Sequence, residues 1–177
     1  HGGQLPDLNK DEDDGDTDDE TWCLFNAEVP DDELSSLYAE FAAGTKIFVV
    51  SDSCHSGTVT RERMLVAALS SDQSNVRYRA LPMRVSARVY DKNKAYYDPI
   101  LKDPALADAK ARTMASVLLL SACQDYQLAR DGDKNGVFTE ALKSIWANGT
   151  FRGNYATLRN QIEMKSPQSQ KPNLYFQ

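Results

Sequence analysis

The segment Asp52-Ser53-Cys54-His55-Ser56-Gly57 gathers a thiol, an imidazole, a carboxylate and two hydroxyls within six residues. A cysteine thiolate is a strong nucleophile, so Cys54 is a candidate for covalent catalysis, with a buried structural thiol as the alternative. A nucleophilic thiol needs a base, and the chain holds two histidines. His55 is adjacent to Cys54, and neighbouring side chains on an extended backbone point to opposite sides, so it is a poor partner. His1 stands 53 residues upstream and is followed by Gly2 and Gly3. A histidine at a strand end, beside glycines that leave backbone N–H groups open, suits a base next to an oxyanion hole. A frayed terminal residue is the alternative for His1.

These residues need elements to hold them. Lys46 to Asp52 is a short β-branched run without polar alternation, which predicts a strand buried on both faces with Cys54 just beyond its C-terminal end. Ser116 to Ser121 predicts a second buried strand. Leu34, Leu37, Tyr38 and Phe41 form one apolar stripe, which predicts a helix over 31–43 capped by Asp31 or Asp32 and ended at Gly44. Phe138, Leu142, Ile145 and Trp146 mark another helix, ending at Asn148-Gly149. Residues 155–164 predict a further helix and Leu174-Tyr175-Phe176 a last strand. Residues 4–20 are acidic with almost nothing to bury and predict a loop. The alternation of strand and helix predicts the α/β class.

Charge is unevenly spread along the 177 residues. The net charge is −6, yet residues 1–40 carry −13 and the remainder +7. The acidic front argues against nucleic acid as the main partner, because phosphate binding needs a basic patch. No apolar run approaches the ~18 residues of a membrane span, so no membrane partner is expected. Three cysteines, with no paired framework, point to a reducing compartment and a cytoplasmic location. The chain opens on His1 without an initiator methionine or a targeting signal.

Four motifs in order resemble those of the metacaspases and their prokaryotic relatives, the orthocaspases. They are His1-Gly2-Gly3, Val29-Pro30-Asp31-Asp32-Glu33, Asp52 to Gly57, and Ser121-Ala122-Cys123-Gln124-Asp125. The resemblance covers nearly the whole chain. It implies the caspase-like fold, a mostly parallel sheet flanked by helices, and a cysteine endopeptidase. It assigns His1 as base and acid, Cys54 as nucleophile, and the N–H groups of Gly2 and Cys54 as oxyanion donors. It also implies earlier strands before the His-Gly motif, missing from this chain. They are expected as a partner segment of the same protein. By the same resemblance residues 1–60 correspond to the C-terminal part of the large catalytic subunit. Residues 61–112 are a basic linker, and residues 113–177 a part like the small subunit.

Substrate preference follows from charge. Asp52 lies two residues before Cys54, and Asp125 stands where the family has an acid. Two carboxylates would reject an Asp substrate and prefer Arg or Lys before the cut, because a carboxylate ~4 Å from a guanidinium gains about 4 kcal/mol at an effective dielectric of 20, before desolvation. The expected partners are therefore protein or peptide substrates with a basic residue at that place. Eleven basic residues between 57 and 112 make the linker a candidate for the enzyme's own cut, at Arg77, Arg79 or Arg84. The chemistry requires no cofactor.

Some metacaspases are activated by calcium, and Asp19, Asp31 and Asp32 match three of the ligand positions. Arg61 stands where a further aspartate is expected, and a solvated acidic loop is the alternative. Asp131-Gly132-Asp133-Lys134-Asn135-Gly136 matches half of a calcium loop, but its twelfth position is Leu142, which favours a turn. A catalytically inactive caspase-like scaffold, or a calcium-binding regulatory module, is the alternative for the chain as a whole.

Overall fold

The computed structural model describes residues 1–10, 18–53, 77–124 and 127–176. They form two compact units, each assembled from separate stretches of chain: residues 1–47 with 81–117, and residues 48–80 with 118–176.

The first unit is built on an antiparallel sheet of β1 (Gly2–Pro6), β2 (Asp18–Cys23) and β3 (Glu28–Pro30), in that order. Gly2 faces Trp22 and Pro6 faces Asp18. This corrects the loop expected over 4–20, which is strand at both ends. The alternation that buries β2 is carried by Asp19 and Thr21, each 1% exposed, and polar side chains on an inward face give no hydrophobic period to read. Leu5 is the apolar anchor of β1. It packs with Tyr90, Tyr97 and Leu101 of α2 (Met83–Leu101), so 19 residues of the basic segment are a helix that covers the hairpin. Asn93 breaks the helical dihedrals of α2, and Pro99 lies within its last turn.

Helix α1 (Asp31–Ala39) is shorter than the apolar stripe predicted, with Pro30 at its N-cap and Glu40 at its C-cap. Its first-turn acids Asp31, Asp32 and Glu33 suit the positive end of the helix. None of its residues is buried, and Leu37 and Phe41 are exposed. The short helices α3 (Pro104–Ala107) and α4 (Ala109–Arg112) pack against α1.

The second sheet has the order β4 (Lys46–Ser51), β5 (Ser116–Ser121), β6 (Asn173–Phe176). Ser116 N donates to Thr45 O and Ala122 N to Ser51 O, both at 2.9 Å, so β4 and β5 advance in step and run parallel. β5 and β6 are antiparallel. Among the described residues the parallel ladder is β4 on β5, and the other ladders are antiparallel. β5 is buried on both faces, as its sequence predicts. β4 is not: among the described residues it lies at one edge of the sheet, and Phe48 and Val50 are exposed. An apolar run reports what a strand can bury, not whether a neighbour covers it.

The core of the second unit joins Leu120 and Ala122 to Phe138 and Ala141 of α5 (Val137–Trp146) and to Leu158 and Ile162 of α6 (Tyr155–Lys165). α5 ends at Trp146, close to the Asn148-Gly149 end predicted, and left-handed backbone at Ala147 and Asn148 follows it. Asn154 caps α6, its Oδ1 accepting from Thr157 N at 2.8 Å. Residues 77–80 pair antiparallel with 129–131. Arg79 N donates to Ala129 O at 2.9 Å and Asp131 N to Arg77 O at 2.8 Å, while Ala80 enters the core.

Candidate active site

His1 stands at the head of β1, in the first unit, with its side chain exposed. Cys23 N donates to His1 O at 2.9 Å, which makes His1 and Cys23 a hydrogen-bonded pair of the ladder. The alternation of an antiparallel ladder then turns the polar groups of Gly2 and Gln4 away from β2. They meet the start of α2 instead. Gly2 O accepts from Leu81 N at 2.6 Å, and Gln4 O accepts from Ser86 Oγ at 2.5 Å. The Gly2 N–H lies on that same outer edge of β1.

Gly3 is required here by space. A Cβ on it would collide with Glu28 Oε2 and come within 2.8 Å of Thr21 Oγ1. Glu28 is 4% exposed and accepts from Thr21 Oγ1 at 2.7 Å and from Ser86 Oγ at 3.4 Å, while Tyr97 Oη accepts from Glu28 N at 3.0 Å. Burial pushes the Glu28 carboxyl above its ordinary value, against the pull of the two hydroxyls. Burial, helped by the Glu28 charge, pushes the Cys23 thiol up to about 11. Cys23 is thus a weak nucleophile at neutral pH although it lies opposite His1.

The second unit holds the strand end that leads to the thiol. Asp52 follows β4, and Ser53 is buried behind it, its Oγ 2.8 Å from Ser51 Oγ. Asp52 Oδ2 accepts from Thr139 N at 3.3 Å and Thr139 Oγ1 at 2.5 Å, in the first turn of α5. Its carboxylate lies so close to Gly136 that a Cβ there would collide with Oδ2. From the other side comes Arg79. Its Nε donates to the main-chain O of Asp52 at 2.5 Å and lies 3.5 Å from Asp52 Oδ1, and its Nη1 donates to Asp131 Oδ1 at 2.7 Å. Charge-assisted bonds of this kind contribute about 1.5–3 kcal/mol each.

Cys54, His55, Arg61, Asp125 and the rest of 54–76 lie outside the described residues. Of the three expected cleavage positions, Arg77 is exposed, Arg84 lies in the exposed first turn of α2, and Arg79 is the partner of Asp52. Asp19 is buried in β2, while Asp31 and Asp32 open α1, where Asp32 Oδ2 accepts from Asn9 Nδ2 at 2.9 Å. Among the described residues no three His, Cys, Asp or Glu side chains gather as a metal ion would need. The segment after Asp131 is a turn, closed by Gly132 N donating to Asn135 O at 2.9 Å. No helix among the described residues is long and apolar enough to cross a membrane.

The Asp-x-Cys motif marks Asp52 but not its contacts. Arg79 lies 27 residues along the chain and reads only as a cleavage position, Thr139 is farther still, and Asp131, the partner of Arg79, reads only as part of a turn, so no spacing announces the cluster. Glu28 carries no motif either.

A strand that leads into Asp52 and Ser53, a strand that opens at Gly2-Gly3 just after His1, and a mixed α/β build fit a caspase-type domain, and the chain belongs to that family. The family model described as a caspase domain matches residues 1–177. Among curated proteins the chain is similar to Metacaspase-1B of Neosartorya fischeri, 28% identical over 203 residues, covering 98% of this chain and 48% of that protein. Metacaspase-1 of Cryptococcus neoformans is 29% identical over 204 residues, covering 98% and 43%. A solved crystal structure of a protein from Geobacter sulfurreducens superposes with a TM-score of 0.78 at 41% identity, covering 99% of this chain and 62% of that one. The chain spans about half the length of the curated relatives it matches. The chain is thus metacaspase-like, with the caspase fold.

Proposed function

We propose that the chain is the catalytic part of a cysteine endopeptidase that cuts after Arg or Lys, with His1 and Cys54 as its dyad. The observation that carries this reading is the caspase-domain match over residues 1–177, on which the four motifs fall in order. His1 takes the proton of the Cys54 thiol, and the thiolate attacks the substrate carbonyl carbon. Negative charge develops on the carbonyl oxygen, where the N–H groups of Gly2 and Cys54 stabilise it. The outward edge of β1 at Gly2, with Leu81 taking the carbonyl and not the N–H, supports that role. His1 then protonates the leaving amine. Water, deprotonated by the same imidazole, releases the acyl group from the sulfur.

A basic preference is supported by the charge around Asp52. Asp52, Asp131 and Arg79 together leave one net negative charge beside the strand end, and Asp125 adds another along the sequence. Self-processing in the basic segment is part of the same reading, and exposure favours Arg77. Peptides ending in Arg or Lys before a fluorogenic group are expected to be cut by the wild-type chain and not by Cys54→Ala. Peptides ending in Asp are expected to stay intact, and a preference for them would overturn the basic-specificity reading.

A further inference from the structure

The carboxylate expected to select a basic residue is already engaged inside the chain. Arg79 reaches it with a planar fork that touches Asp52 twice and Asp131 once. One of those contacts goes to the main-chain oxygen of Asp52 and so fixes the peptide plane between Asp52 and Ser53. The Asp52 side chain is held independently by Thr139, at the N-terminal turn of α5. Main chain and side chain of one residue are therefore clamped from two directions.

Arg79 is itself anchored. Its N–H is bonded to Ala129 O, its neighbours Tyr78 and Arg77 pair with Arg130 and Asp131, and Ala80 is in the core. The guanidinium is thus carried on fixed backbone, and its side chain is 23% exposed. A surface ion pair on a mobile stem would have neither property.

We propose that Arg79 is a positioning residue that holds the strand end Asp52–Ser53, the residues that precede Cys54 in the sequence. The proposal rests on the peptidase reading for its effect on catalysis. A planar fork bonded to the Asp52 carbonyl and the Asp131 carboxylate, with the Asp52 carboxylate 3.5 Å away, is not reproduced by a lysine, whose ammonium is a point charge. Displacing a nucleophile by about 1 Å can cost about a hundredfold in rate, so the geometry of this strand end matters to the chemical step. An alternative is that Arg79 fills the space a substrate arginine would take.

The test uses Arg79→Gln and Arg79→Lys in the whole chain, with three readouts: kcat and KM on an Arg-ending peptide, the rate of Cys54 alkylation by iodoacetamide read by peptide mass mapping, and the melting temperature. In Arg79→Gln, kcat is expected to fall at least about tenfold while KM stays within about threefold. Alkylation of Cys54 is expected to slow in parallel. Guanidinium chloride, far below denaturing concentrations, is expected to restore part of both rates, and Arg79→Lys to fall between wild type and Arg79→Gln. An unchanged or raised kcat overturns the proposal, the raised value marking Arg79 as an obstacle to substrate. A loss that follows the melting temperature and shows no guanidinium rescue overturns it too. If the wild type cuts no peptide yet Cys54 alkylation slows in Arg79→Gln, the positioning role stands and the peptidase reading falls. If the wild type cuts Arg-ending peptides and Arg79→Gln matches it in every readout, the reverse holds.

Discussion

At Asp52 one carboxyl group meets a guanidinium, a hydroxyl and a helix N–H, all donated from residues far away in sequence. The motif made Asp52 legible as a residue that matters. It did not reveal that one oxygen of the carboxylate is held by Thr139 and the other faces Arg79, because those residues sit in segments whose local patterns speak only of turn and helix. Glu28 is the opposite case: nothing in the sequence marks it, and its importance follows from burial against Gly3. Burial holds its carboxyl above the ordinary 4.5, so the folded chain binds that proton more tightly than the unfolded chain. Its contribution to stability is therefore greatest below 4.5 and falls as pH rises through the raised value. Glu28→Gln removes the titration and keeps the shape. Melting curves from about pH 4 to about pH 8 should show the variant gaining on the wild type as pH rises. A difference that does not change with pH would mean that Glu28 is not held in this way.

The elements set by local periodicity were readable and those set by partners were not. Ser116–Ser121 and Tyr155–Lys165 form where a short apolar run and a helical pattern place them. The β1–β2 hairpin escaped because its inward face is partly polar, and β4 was read as covered on both faces because covering is a property of neighbours. The turn before α5 shows how tightly two elements can meet. Gly136 has Asp52 against its Cα, so Gly136→Ala must push the carboxylate off Thr139 or shift the start of α5. The expected cost is about 1–3 kcal/mol, measured by denaturant unfolding, with Cys54 alkylation slowed as well. An unchanged midpoint and an unchanged alkylation rate would show that Asp52 and Gly136 do not constrain one another.

On the scale of the whole molecule, the family was legible from four short motifs whose order carried more than any one of them. The grouping of the chain into two units was not. Residues 81–117 return to the hairpin, and residues 77–80 are kept by the second unit, so the basic segment is divided between the two. Its sequence showed charge, while its apolar positions, Tyr90, Tyr97 and Leu101, are too sparse to announce a packed helix. The central claim is that Cys54 is a nucleophile activated by His1. The direct measurement is mass mapping after exposure to an Arg-ending peptidyl chloromethyl ketone. A single adduct on Cys54 is expected, lost in Cys54→Ala and strongly slowed in His1→Ala, with Cys23 and Cys123 unlabelled. Labelling of Cys23 or Cys123 in preference to Cys54, or equal labelling of Cys54 without His1, would contradict it.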